Sequence, residues 1–178
     1  MASLNVWQQS FAFSFDQALD QLERAVTDCP DHLWTQDLWP EQATTGPSEL
    51  GGLWGSAPWL LAFHALFCLD YDLTGEFEPW APPAPFDEST YAHPNRVFHQ
   101  DELLAYIAFC RSKVAAIAAE LTEERAARPL PESHRYRGRA YLLVVAGMAL
   151  HVAEHAAQIR QFLTSEGVVP AGGFVPGT

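Results

Sequence analysis

AYLLVVAGMALHVAEHAAQIRQFLTS, residues 140–165, carries its apolar side chains at steps of three and four. Val144, Gly147, Met148, His151, Val152, His155, Ile159 and Phe162 fall on one inward stripe of a helix, and Gly167 stops it. His151 and His155, four residues apart, therefore lie on the core-facing side roughly one turn from each other. A fold that uses this helix must bury two imidazoles along with the aliphatic stripe.

The same period recurs on either side of it. Leu103, Ile107, Cys110, Val114, Ile117 and Leu121 predict a helix over about 99–122, with Asp101, Arg111, Lys113 and Glu120 off the seam. Ser56-Ala57-Pro58 offers a cap and an early-helix proline, after which Leu60, His64, Phe67 and Tyr71 keep one face until Thr74-Gly75 ends the run. Phe11, Phe15, Ala18, Leu22 and Val26 predict a first helix over about 5–28. Between the first two helices, a stretch rich in proline, glycine and polar residues reads as an ordered irregular connection, held to the core by Trp34, Trp39 and Trp54. Residues 76–98 contain five prolines and no apolar period, which makes them a long crossover between helices 2 and 3. A polar link then leads to the fourth helix, and residues 1–178 form one all-α domain, a four-helix bundle.

Composition narrows what such a bundle can do. The formal net charge of -12 opposes nonspecific binding to nucleic acid or to an anionic membrane surface. Three widely spaced cysteines, Cys29, Cys68 and Cys110, with no CxxC pair, suggest neither a disulfide framework nor a thiolate zinc site, and fit a reducing cytoplasm. Asp16, Asp20 and Glu23 near the N-terminus, without a basic start or a cleavage site, do not read as a secretory signal. Tyr141 to Leu150, the most apolar stretch, is about half the length of a membrane span and runs into His151, so no span is expected.

His64 occupies the apolar stripe of a different helix from His151 and His155, and helical bundles build metal sites from side chains that converge from facing helices. Neutral imidazole suits divalent transition metals, and three protein ligands leave a position open for water or substrate. A lone histidine on an apolar face is ordinarily a hydrogen-bonded core residue, and an H-x-x-x-H pair alone is a weak signal. The segments WLLAFHALFCLDYDL around His64 and LHVAEHAAQIRQFL around His151 and His155 resemble the second and fourth helices of the DinB-like family. The likeness extends over nearly the whole chain in helix order and spacing, although only these two segments are specific. It implies a bundle of DinB-like type, three metal-ligating histidines at positions 64, 151 and 155, and frequently a homodimer. It does not name the ion: Zn, Ni and Fe all accept three imidazoles.

Other candidates read more plainly. His151-Val-Ala-Glu154-His155 matches the H-x-x-E-H string of inverted zinc proteases, but those need a further acidic ligand downstream, where Glu166 is the only carboxylate among the 23 residues after His155. Glu154 is then a flank residue or a support for the histidines. Asp70 is turned about 120° from the His64 face and reads as a surface or capping residue. Arg135, Arg137 and Arg139 form a basic patch that reads as a solvated loop, with an anion site for substrate or thiol cofactor as the sharper alternative. His32, His93, His99 and His134 read as surface residues, and Cys110 as a buried, unreactive thiol. The resemblance implies a metal-dependent enzyme acting on a small molecule, either a transferase using a low-molecular-weight thiol or a hydrolase. Its alternative is a noncatalytic, stress-associated metal-binding protein.

Overall fold

The computed structural model describes residues 4–40, 55–87, 94 and 96–169. Among them are five helices and no strand: α1 (Val6–Thr27), α2 (Pro58–Thr74), α3 (Gln100–Glu120), α4 (Glu123–Ala127) and α5 (Tyr141–Ser165). The four long helices fall where the periodicity places them. The short α4 lies in the stretch read as a polar link; at 5 residues it is too brief to show a period, and Thr122 starts it by accepting the Arg125 N–H at 3.1 Å.

Local chemistry sets the helix ends. Asn5 opens α1 with a reciprocal cap, its side chain accepting from the Gln8 N–H at 3.0 Å while the Gln8 side chain accepts from its own N–H at 2.9 Å. α2 begins on Pro58 and ends at Gly75, whose φ of 65° lies in the left-handed region. A Cβ there would also stand 3.0 Å from the Tyr141 ring, so backbone conformation and helix packing both require glycine.

α1 packs against α3 and α5, and so does α2, whereas α1 and α2 scarcely touch. α1 and α2 thus stand at opposite corners, and the core lies between the four long helices. α2 is the innermost: Leu60, Leu61, Ala62, Phe63, Ala65, Leu66, Phe67, Cys68, Leu69 and Leu73 are all buried, on every side of the helix. α5 passes the length and apolarity criteria for a membrane span when taken whole, as core helices often do. Its Tyr141, Val145, Val152, Ala156, Ile159 and Leu163 are packed into the core.

The connections are pinned by a few side chains. Trp34 is buried and donates its indole N–H to the Phe98 carbonyl at 2.9 Å, as expected of an anchoring tryptophan. Trp39 is 40% exposed, with its backbone N–H donating to the Ser56 hydroxyl at 2.9 Å, while Trp54 and His93 lie outside the described residues. Phe86, midway along the crossover, and Phe98, at its end, pack with Phe63 at ring separations of 5.6 and 4.8 Å.

Asp70 corrects the sequence reading. Instead of reaching the surface, it is fully buried, where it accepts from the Tyr106 hydroxyl at 3.0 Å and pairs with Lys113 at 2.5 Å. Lys113 also donates to the Asp70 carbonyl and the Thr74 hydroxyl, which accounts for its three ammonium hydrogens. Burial without the lysine would strand a carboxylate in the core, so this pair ties α2 to α3.

Candidate metal centre

α2 carries His64 and α5 carries His151 and His155, and the contact between those two helices brings the three side chains together. One ring nitrogen from each lies within 4.8 Å of the others, close enough to bind one metal ion. The rings meet edge to face, with centroids 5.1 Å apart from His64 to either partner and 4.6 Å apart between His151 and His155. All three are partly buried.

The Nε2 atoms of His151 and His155 face each other at 3.0 Å. His155 directs Nδ1 at the Gln158 side-chain oxygen, 2.8 Å away. That acceptor makes Nδ1 the protonated nitrogen and leaves the Nε2 lone pair aimed at the cluster, the arrangement a metal ligand requires. Gln158 is three residues beyond His155 on the same helix face, so the spacing that found the histidines also identifies it once its partner is known.

A purely packed trio should have its hydrogen bonds satisfied. The buried Nδ1 of His151 has no hydrogen-bond partner among the described residues. Electrostatics further favour neutral rings. Burial first, then His155, His151 and the Arg135 charge, lower His64 to about 3. His151 is lowered to about 4 by burial, then by His155 and Arg135. Burial also lowers His155, against opposing effects of Gln158 and Glu154. Three imidazoles held neutral and close together are a donor set of the kind that suits a divalent transition metal.

The surroundings hold residues that the sequence reading left aside. Cys68, one turn beyond His64 and buried, places its sulfur 3.9 Å from both His64 ring nitrogens. The same sulfur is 3.9 Å from Arg135 Nη1, and Arg135 Nη2 pairs with Asp72 Oδ2 at 2.5 Å. Asp72 is fully buried; burial pushes its carboxyl upward, against the pull of Arg135 and then His134. His134, expected at the surface, is buried: its Nε2 is 3.2 Å from Asp72 Oδ1, close but out of line for a hydrogen bond, and its ring stacks on Tyr71 at 5.2 Å. A loop histidine looks like a surface residue in sequence because nothing local reveals that Asp72, on another element, draws it inward.

The arginine patch divides. All three are exposed, but Arg135 places its guanidinium on Asp72 and beside the Cys68 sulfur that adjoins His64. Glu154 is exposed and has no hydrogen bond to the trio, its influence on His155 being that of charge alone. His32 and His99 are exposed as expected, His99 as the cap of α3, and Cys110 is buried with its thiol pushed up by desolvation. Apart from the histidines, a groove of about 890 Å³ lies between α4 and the end of α2, lined by Phe77, Glu78, Glu120, Arg125 and Arg128 among others. It contains none of the three, so the chemistry and this groove are separate features.

No protein-family model matches the chain, and no curated protein does. Among solved structures, it is similar to one described as the conserved protein of locus from Enterococcus faecalis, at 12% identity and a TM-score of 0.56. The alignment covers 92% of this chain and 99% of that one. At such identity the likeness is one of fold, an all-helical architecture shared over nearly the full length of both chains.

Proposed function

We propose that the protein is a DinB-like four-helix-bundle metalloprotein in which His64, His151 and His155 hold one divalent transition metal, and that it is a metal-dependent enzyme acting on a small molecule. The observation that carries this reading is the convergence of three ring nitrogens within 4.8 Å from two helices. Lewis acidity toward a water or thiol is the chemistry a divalent ion supplies in such a site. The chain's own residues do the rest. Burial keeps the imidazoles neutral, Gln158 sets the His155 tautomer, and three protein ligands are the number that catalytic zinc sites use. Transfer to a low-molecular-weight thiol and hydrolysis are the two reaction classes consistent with that set.

Elemental analysis of protein purified without a histidine tag tests the metal reading. About one ion per chain is expected for the wild type and close to none for His64→Ala. A wild-type content near zero overturns it. The enzymatic reading is tested by offering the metallated protein thiol cofactors with model electrophiles, and ester or amide substrates. Turnover that disappears in His151→Ala is expected, and a fully metallated protein inert throughout the screen favours a noncatalytic metal-binding role.

A further inference from the structure

We propose that Arg135 is the anion-binding arm of the histidine centre, receiving the carboxylate of a small molecule whose other end sits at His64, His151 and His155. The proposal rests on the metal-site reading and adds the class of ligand to it. Of the three arginines in the loop before α5, Arg135 alone turns toward the centre, and its charge acts on both His64 and His151. Its Nη1 and both ring nitrogens of His64 lie 3.9 Å from the same Cys68 sulfur, so guanidinium and imidazole flank one atom and stand within a small molecule's length of each other.

The arm is held rather than floating. Asp72 is fully buried and pairs with Arg135 Nη2 at 2.5 Å, while the ring of Tyr136 lies under the guanidinium at 5.0 Å. A buried carboxylate fixes one end of the fork, and the Arg135 side chain as a whole remains 39% exposed. A guanidinium has five N–H donors, of which one goes to Asp72 and one is offered weakly to the thiol, so planar donors remain for an incoming oxyanion. Because a single arginine, already paired with an aspartate, supplies the positive charge, the site suits a monoanionic carboxylate better than a phosphate. Asp72 is the positioning residue.

The test uses cobalt-loaded full-length protein, with the cobalt absorption spectrum as the readout and two probes of equal size: 3-mercaptopropionate and its neutral amide. The wild type should take up cobalt and bind the acid at least about tenfold more tightly than the amide, in line with one charge-assisted bidentate contact. Arg135→Ala should bring that ratio close to one, with cobalt uptake and amide binding retained as evidence of an intact fold. Arg135→Lys should keep part of the preference, Asp72→Asn should diminish it, and Arg137→Ala, altered at an exposed neighbour, should keep all of it. An unchanged ratio in Arg135→Ala, or a wild-type ratio near one with normal cobalt uptake, overturns the anion arm alone. Failure of the wild type to take up cobalt overturns the metal site and the arm with it.

Discussion

Gln158 sets which nitrogen of His155 faces the cluster, and a ligand whose tautomer is fixed binds metal more tightly than one free to choose. Gln158→Ala is expected to weaken metal affinity about 10–100-fold without emptying the site, measured by competition with a chromophoric chelator. Equal affinity in the two proteins would assign Gln158 to packing alone. A different result belongs to Lys113, which neutralises the fully buried Asp70 at 2.5 Å. Lys113→Met should cost about 3–5 kcal/mol in urea unfolding, because the carboxylate stays in the core without its partner. A loss below 1 kcal/mol would mean that Asp70 is relieved in another way. Lys113 acts on a partner 43 residues away in sequence, whereas Gln158 acts on one three residues before it on the same helix. Periodicity placed His64, His151 and His155 on inward stripes, but Asp70 and His134 carry no local sign that they are drawn inside.

At the scale of elements, the start of α3 is held by an electrostatic cap. Glu102 accepts the His99 backbone N–H at 2.8 Å and pairs with both terminal nitrogens of Arg96, at 2.6 and 2.7 Å. Arg96 first, with the His99 N–H helping, lowers its carboxyl from an ordinary 4.5 to about 2. A carboxyl depressed on folding stabilises the native state above its unfolded value, and that contribution is lost as pH falls through the folded one. Glu102→Gln should therefore lower the thermal midpoint at pH 7, and the gap from wild type should narrow between about pH 4.5 and pH 2. A gap independent of pH would show that the side chain acts through shape and not charge. The long helices were legible because each spans several turns of a sustained apolar period, while α4 was not, because one turn held by a threonine cap leaves no repeat to read.

For the whole molecule, bound metal should act as a clamp between α2 and α5, since its ligands come from both. An ion present at about 100 times its Kd adds about 2.7 kcal/mol to stability, so a chelator should lower the melting temperature of the wild type by several degrees. The same treatment should leave His64→Ala unmoved, and a wild-type melting curve indifferent to the chelator would count against a site formed only in the folded chain. What the sequence determined by itself was the set of long helices and the stripe each one buries, since the 3.6-residue repeat is a local property written in consecutive side chains. It also determined that His151 and His155 share a face, for the same reason. Only the tertiary structure decided that α1 and α2 stand at opposite corners, that α2 lies against α5, and that His64 consequently meets the other two. It alone singled out Arg135 from its two neighbours, because Asp72 reaches it from 63 residues away and no periodicity records a contact made across space.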